Sequence, residues 1–469
     1  MLFNSYIFIF AFLPLTFFVY FYLNSRKLVV VAKVFLVFAS LFFYSWWNIA
    51  YLPIILVSMF FNYVVGVSLS RDSLKSRVKS KTILIFGIVV NVSLLAYFKY
   101  ADFFIVNFNY LTSSNIELLK LALPLAISFF TFQQIAYLVD SYRGETKEYD
   151  FLNYANFVTF FPQLIAGPIV HHKEMMPQFA TPYNKVKRYS NIALGLFIFS
   201  IGLFKKIIIA DNFALWATAG FDHVPVLNMI DAWVTSLSYT FQLYFDFSGY
   251  TDMAIGAALL FNIKLPINFN SPYKALSIQE FWRRWHITLS RFLKEYIYIP
   301  LGGNKRGEFR VYSNLMATFL IGGIWHGAGW TFLFWGFLHG FAIVIHRAWS
   351  KLGFKLNAIV AWFITFNFIN ITWVFFRAKE WEDAIKVLKG MFVGTLVLPA
   401  QWKEILNLLL AHNVQWVMAG LFITVVFKNS NQLAKRFKPN LLTSMYAATL
   451  FLMAVSSLSK LSEFLYFNF

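Results

Sequence analysis

Residues 51–69 read YLPIILVSMFFNYVVGVSL, a stretch without a charged side chain that is long enough to cross a bilayer as a helix. Comparable apolar runs recur along the chain, at 2–23, 29–46, 83–98, 121–139, 190–210, 357–376 and 441–459. Hydrophobic residues make up 59% of the 469-residue chain and its mean hydropathy is +0.61, which is more apolar surface than one soluble core can enclose. The sequence therefore predicts an all-α polytopic membrane protein, a single domain over residues 1–469 with about 10 to 12 transmembrane helices.

The charged residues favour a membrane protein over a nucleic-acid-binding one. The net charge of +19 comes from Lys and Arg in short loops between apolar runs, as the positive-inside rule produces. Five basic residues lie within 71–81 and none within 107–115, so the first loop is predicted to be cytoplasmic and the second extracytoplasmic. The start of the chain lacks a basic segment and a cleavage pattern before Arg26, which predicts a retained first span. The chain has no cysteine, which excludes disulfides, thiolate metal ligands and a thioester on this chain.

Two regions depart from the pattern of simple spans. Residues 151–170, FLNYANFVTFFPQLIAGPIV, contain Pro162, Gly167 and Pro168 and have basic residues on both sides, so they are predicted to be re-entrant. Residues 244–340 mix charged residues and prolines with aromatics. We expect the chemistry there, within a catalytic core of about residues 151–345.

The run YFDFSGYTDMAIG at 244–256 carries Asp246 and Asp252 in an apolar setting. A carboxylate at membrane depth is costly and by default indicates function. The alternative is a buried carboxylate that pairs with an arginine and holds helices together. Both interpretations stay open for Asp252, and the structural one is favoured for Asp246.

Residues 275–307, ALSIQEFWRRWHITLSRFLKEYIYIPLGGNKRG, predict one interfacial amphipathic helix. Ser277 and Glu280 have the spacing of a capping box at its start. An apolar stripe (Phe281, Trp282, Trp285, Leu289 and Phe292) lies apart from basic residues (Arg283, Arg284, Arg291 and Lys294). The basic face, with Lys305 and Arg306, fits anionic lipid headgroups or the phosphates of an acyl-CoA, and composition favours the headgroups. His286 lies beside the stripe, where a structural histidine is more common than a catalyst.

The run IGGIWHGAGWTFLFWGFLHG at 321–340 surrounds His326 with glycines, which would leave room beside the imidazole for a substrate. Histidine suits acyl transfer because its pKa lets it take a proton from an alcohol near neutral pH. A structural role remains open from spacing alone. His339 and His346 are predicted to form hydrogen bonds in the core, and no metal site is expected.

The stretches FDFSGYTDMAIG, FWRRWHITLSRFLKEYIYIPLGG and GIWHGAGW with WGFLHG resemble the signature blocks of the membrane-bound O-acyltransferases, and FFPQLIAGPI at 160–169 is similar to the bacterial branch that modifies envelope polymers. The resemblance implies a ring of spans around a thinned centre, with re-entrant helices and a central tunnel. It implies that His326 is the essential residue and that His286 is the second catalytic one. The tunnel or the donor site would then include the following residues: Asp252, Trp282, Arg283, Arg284, Trp285, Trp325 and Lys305.

What the resemblance implies for function is an inner-membrane enzyme that moves acetyl groups from cytosolic acetyl-CoA across the bilayer to O-acetylate an envelope polysaccharide of the peptidoglycan or alginate type. Acetyl-CoA is the expected donor, with no bound cofactor. The chain has no large periplasmic domain, so a periplasmic serine-hydrolase-type O-acetyltransferase is the expected partner. Membrane lipid is expected as a further partner and nucleic acid is not. The alternatives are D-alanyl transfer from a carrier protein to teichoic acid and, less favoured, a transporter.

Overall fold

The computed structural model describes residues 1–72, 77–146, 150–305, 307–395, 410–458 and 465, and every regular element in them is helical. Arg306 and residues 73–76 of the predicted cytoplasmic loop lie outside the described residues. The first half contains α1 (Leu13–Ser25), α2 (Val29–Ser45), α3 (Tyr51–Asp72), α4 (Arg77–Thr112), α5 (Ile127–Tyr142), α6 (Phe151–Thr159), α7 (Phe161–Leu164), α8 (His172–Ala180), α9 (Tyr189–Phe204) and α10 (Asp211–Thr218). The second half contains α11 (Met229–Leu260), α12 (Ile278–Arg284), α13 (Ile287–Leu293), α14 (Glu308–His326), α15 (Trp330–Lys351), α16 (Ala358–Arg377), α17 (Trp381–Val393), α18 (His412–Val426), α19 (Ser430–Lys435) and α20 (Leu441–Val455).

Within the described residues, six segments are long and apolar enough to cross a membrane: Phe8–Ser25, Tyr51–Ser70, Lys79–Thr112, Tyr189–His223, Trp330–Lys351 and Ala358–Arg377. Three shorter apolar helices accompany them: Val29–Ser45, His412–Val426 and Leu441–Val455. Large apolar side chains such as Phe38, Val57 and Phe104 are 63–69% exposed, as expected of faces that contact lipid. The arrangement agrees with the predicted all-α polytopic membrane fold.

Helix α11 is the buried centre of the molecule, and its contact with α9 depends on facing glycines. A Cβ on Gly202 would lie 2.6 Å from the carbonyl oxygen of Gly249, and one on Gly195 would lie 2.7 Å from that of Gly256. Small residues at such positions let two helix backbones approach closely within a membrane. Because α9 and α11 lie together, the aspartates of α11 meet lysines of the segment that continues α9.

Two apolar segments are less regular than simple spans. The run at 121–139 was predicted to be a helix, but α5 begins only at Ile127, because Pro124 and the left-handed conformation of Ala126 (φ 61°) precede it. The run at 151–170 forms α6 and α7, helices of 9 and 4 residues that break at Phe160, two residues before Pro162. Both helices are buried from Asn153 onward and too short to cross about 30 Å of hydrocarbon, which is the geometry expected of a re-entrant segment.

Candidate active site

His326 is the last residue of α14, and aromatic side chains enclose its imidazole. The residue is 3% exposed. Its ring lies edge-on to Trp335 (5.2 Å between centroids) and to Phe376 (5.1 Å), and it also contacts the neighbouring Trp325 ring (4.8 Å). Helices α14, α15 and α16 therefore all contribute to the position of the imidazole.

Two of the glycines near His326, Gly323 and Gly327, lie in close contact with α15. A Cβ on Gly323 would lie 2.5 Å from the carbonyl oxygen of Phe332, and one on Gly327 would lie 2.2 Å from the Phe332 ring. Gly336 of α15 lies against Gly323 across the same contact. The expectation that these glycines make room for a substrate is wrong at these positions, because α15 fills the space.

His286 lies at a break between α12 and α13, where one continuous helix was predicted. Trp285 is extended, and His286 adopts the left-handed conformation at φ 42°. A residue other than glycine held there costs on the order of 1–3 kcal/mol, and such conformations cluster at functional sites. The predicted start of the helix is confirmed, since the Ser277 hydroxyl accepts a hydrogen bond from the Glu280 amide (3.1 Å).

Asn268 orients the buried imidazole of His286. The Oδ1 atom of Asn268 lies 3.1 Å from Nδ1 of His286 and accepts hydrogen bonds from the Thr288 amide and hydroxyl (3.2 and 2.9 Å). An amide oxygen can only accept, so Nδ1 of His286 carries the proton and Nε2 keeps the lone pair. The ring also contacts Trp325 (6.3 Å between centroids), so both predicted catalytic histidines touch the same indole.

The predicted apolar stripe packs against protein side chains around the histidines. Trp285 stacks on Phe281 (5.6 Å) and contacts Trp373 of α16 (5.1 Å). Trp282 donates a hydrogen bond to Nδ1 of His339 (3.2 Å).

His339 has the core hydrogen-bonding role that its spacing predicted. Trp282 occupies Nδ1 of His339, so the ring proton lies on Nε2, which is 3.1 Å from the Thr372 hydroxyl. His346 differs from the prediction, because it is only partly buried.

The basic residues predicted to bind the donor differ in how they are held. Arg283 and Lys305 are exposed. Arg284 is hydrogen-bonded to Glu280 (2.7 Å), so its guanidinium also stabilises α12. Arg291 forms a bidentate pair with Glu174 of α8 (2.5 and 3.0 Å). Burial acts to raise the pKa of Glu174, but the Arg291 guanidinium holds it below its ordinary value.

The two aspartates of α11 form ion pairs with consecutive lysines. Asp246 lies 2.6 Å from Lys206, and both side chains are buried. Asp252 accepts hydrogen bonds from Lys205 (2.7 Å) and from the Ser430 hydroxyl (2.8 Å). These contacts match the helix-pairing interpretation of both residues, although the partners are lysines where an arginine was expected.

The sequence analysis did not single out a buried cluster around Asp140, at the end of α5. The carboxylate accepts a hydrogen bond from Tyr296 (2.8 Å) and lies 3.8 and 3.6 Å from Nδ1 of His171 and His172. The signal available was an aspartate next to an apolar run and a pair of adjacent histidines. Across the described part of the chain, no group of three or more His, Asp or Glu side chains has a metal-binding arrangement.

A profile of the membrane-bound O-acyltransferase family matches residues 39–377, which include both His286 and His326. The peptidoglycan O-acetyltransferase of Helicobacter pylori is 52% identical in an alignment that covers 100% of this chain and 98% of that protein. The probable alginate O-acetylase of Pseudomonas aeruginosa is 40% identical over 84% of this chain and 75% of that protein. The teichoic acid D-alanyltransferase of Streptococcus thermophilus is 28% identical over 54% of this chain and 68% of that protein.

Proposed function

This chain belongs to the membrane-bound O-acyltransferase family, and from that premise we propose that it moves acetyl groups across the inner membrane for the O-acetylation of peptidoglycan. Peptidoglycan is favoured over alginate because the Helicobacter pylori relative is similar over its whole length, whereas the alginate O-acetylase is less similar and is covered over a smaller share. The teichoic acid relative supports D-alanyl transfer less, since its similarity covers about half of this chain.

The observation that carries the proposal is the convergence of two histidines on one indole. His326 at the end of α14 and His286 at the α12–α13 break both contact Trp325, although 40 residues separate them in the sequence. Both imidazoles are buried, at 3% and 0% exposure. A buried imidazole that reaches a thioester and a hydroxyl group can transfer a proton between them in a site that excludes water.

In the proposed reaction, His326 takes the proton of an acceptor hydroxyl while the hydroxyl oxygen attacks the acetyl carbonyl carbon. The C–S bond of the thioester then breaks, and the departing thiolate takes the proton from the His326 imidazolium. His286, whose Nδ1–H is directed at Asn268, keeps a lone pair on Nε2 and is proposed as the second catalytic residue. This assignment of roles accounts for both histidines without a covalent acetyl intermediate.

Acetyl-CoA is the proposed donor and a serine hydroxyl of a periplasmic acetyltransferase is the proposed acceptor. Arg283 and Lys305 are exposed cations in the segment 275–307 that contains His286, so they are the residues proposed to bind the donor phosphates. Arg284 shares its charge with Glu280 and is proposed to contribute less. Trp282, Trp285, Trp325 and Asp252 are proposed to support the tunnel wall through the contacts described above.

The test is the variant His326→Gln. Three aromatic rings enclose the imidazole, so alanine would leave a void that lowers stability for reasons unrelated to catalysis. Glutamine keeps much of the volume and can form hydrogen bonds, but it cannot act as a base near neutral pH. We expect a loss of roughly 10²-fold or more in ester-linked acetate on isolated peptidoglycan, at unchanged protein abundance.

The matched control is His346→Gln, which changes a partly buried histidine of α15 in the same way and should leave acetate unchanged. Near-normal acetate in the His326→Gln strain would contradict general-base catalysis by His326. Peptidoglycan without ester-linked acetate in the wild-type strain, together with acetate on another envelope polymer, would contradict the proposed substrate.

A further inference from the structure

The end of α14 needs hydrogen-bond donors from elsewhere in the molecule. The last carbonyl groups of any helix lack intrahelical partners and carry the negative end of its dipole. Here the helix ends at His326, and Gly327 continues in an extended conformation. The groups concerned are the carbonyls of Ile324, Trp325 and His326, so their partners help to fix the backbone of the proposed catalytic residue.

Two consecutive residues of α4 supply these donors. The Lys99 ammonium donates to the carbonyl oxygens of Trp325 (2.6 Å) and His326 (3.2 Å). The Tyr100 hydroxyl donates to the carbonyl oxygen of Ile324 (2.6 Å). Three successive carbonyls of α14 therefore receive donors from a helix more than 220 residues away in the sequence.

A lysine at position 99 would be energetically costly without these hydrogen bonds to α14. Helix α4 is apolar and largely exposed, so a cation on it needs strong compensation at membrane depth. The ammonium has three donors, and it meets three acceptors: the two α14 carbonyls and the Ser128 hydroxyl (3.3 Å). Its charge also faces the negative end of the α14 dipole, which adds a favourable term.

The same place is open to a cavity of about 340 Å³, lined by Lys99, Asp102, Gly327, Ala328 and Phe332 among others. Packing alone cannot fix the backbone of α14 beside an opening, because water would compete for the carbonyl groups. A hydrogen-bond donor on the protein holds these carbonyl groups in one geometry, whereas water molecules would allow several.

We propose that Lys99, together with Tyr100, positions His326 by capping the end of α14. The inference rests on the proposed role of His326 as the base, and it adds a residue outside the family's signature blocks quoted above. Catalytic groups must be held within a fraction of an ångström, so a change in the end of α14 should lower the rate of acetyl transfer more than it lowers stability.

The experiment compares Lys99→Met and Lys99→Arg with the control Lys33→Met. Lys33 lies on α2 and donates to Asn153 (2.5 Å), so its replacement also removes a partly buried ammonium from a hydrogen bond. The readouts are peptidoglycan acetate per copy of the protein and the unfolding temperature. We expect at least a tenfold loss of acetate per copy in Lys99→Met, a recovery of most of it in Lys99→Arg, and no loss in Lys33→Met.

If Lys99 had only a structural role, Lys99→Met would behave like Lys33→Met, and both variants would lose abundance and unfolding temperature while acetate per copy stayed constant. That result would overturn the inference. If Lys99→Met does not accumulate, Tyr100→Phe decides, because it removes one donor from the same helix end and keeps the cation. Reduced acetate per copy in Tyr100→Phe supports the inference, and unchanged acetate overturns it. An active His326→Gln variant would instead show that the proposed role of His326 as the base has failed.

Discussion

At the scale of single residues, His286 depends on Asn268 and on a left-handed backbone. The variant His286→Asn separates the structural from the catalytic part of this arrangement. Asparagine tolerates positive φ better than most residues, and its amide can donate to Asn268, but it has no basic nitrogen. We expect an unfolding temperature close to that of the wild type and a loss of roughly 10²-fold in peptidoglycan acetate.

The comparison variant is Asn62→Ala on α3, which breaks the buried amide pair with Asn91 (3.1 and 2.7 Å). Loss of a buried hydrogen-bond partner costs about 1–3 kcal/mol, so this variant should lower the unfolding temperature and leave acetate per copy unchanged. If His286→Asn transfers acetate normally, His286 is a structural residue and the base function belongs to His326 alone.

The sequence singled out both histidines of the candidate site but not the residues that support them. The residue pattern left the role of His326 open and favoured a structural role for His286, and only the resemblance pointed to both as catalytic. Asn268 lies 18 residues before His286, in a segment that reads as a turn, and Lys99 lies more than 220 residues before the carbonyls that it caps. Contacts of this kind follow from tertiary packing, and no periodicity in the sequence records them.

At the scale of helices, the segment 275–307 shows where a pattern fails. Its apolar stripe has helical spacing and its start has the predicted cap, yet the helix breaks at Trp285 and His286. No glycine or proline marks the break. The amide of Ile287 donates to the carbonyl oxygen of Asn268 (3.0 Å), so a neighbouring segment takes a group that a continuous helix would use itself. Tertiary hydrogen bonds thus override the local preference for one helix.

The contact between α14 and α15 yields a prediction about Gly323. A Cβ there would lie 2.5 Å from the carbonyl oxygen of Phe332, so Gly323→Ala should push the two helices apart. Alanine gains up to about 1 kcal/mol in helix propensity, but overpacking against backbone costs about 1–3 kcal/mol. We expect a lower unfolding temperature and reduced peptidoglycan acetate, since His326 lies one turn further along α14.

Gly329→Ala is the matched control at the same corner. Its backbone is extended, and a Cβ would lie 3.6 Å from the Phe332 side chain, an ordinary contact distance. This variant should leave both the unfolding temperature and the acetate unchanged. Equal effects of the two substitutions would contradict the assignment of Gly323 to close helix packing.

At the scale of the whole molecule, the apolar runs predicted some helices to within a few residues, whereas Lys79–Thr112 and Tyr189–His223 extend well beyond the predicted runs and Trp330–Lys351 matches none of them. The runs at 29–46, 51–69 and 357–376 correspond to helices at Val29–Ser45, Tyr51–Asp72 and Ala358–Arg377. The partners in the interior ion pairs escaped prediction, because pairs such as Asp246 with Lys206 join segments that hydropathy treats separately. Lipid imposes the length and the apolar character of a span, whereas the polar pairs inside depend on which spans are neighbours.

The sidedness of the molecule follows from its loops and can be tested on α4 alone. Basic residues concentrate at the start of α4 and in the segment before it and are absent from 107–115, so its first end is predicted to be cytoplasmic and its last end extracytoplasmic. Lys81 and Tyr110 lie on this one helix, and at 1.5 Å per residue they are roughly 44 Å apart, which exceeds the hydrocarbon core of about 30 Å. Both side chains are exposed, and the chain contains no cysteine, so Lys81→Cys and Tyr110→Cys each provide a single thiol.

A maleimide that cannot cross the membrane should label the Tyr110→Cys variant in intact cells and the Lys81→Cys variant only after permeabilisation. Labelling of Lys81→Cys in intact cells would reverse the predicted topology, and labelling of both variants from one side would show that α4 does not cross the membrane.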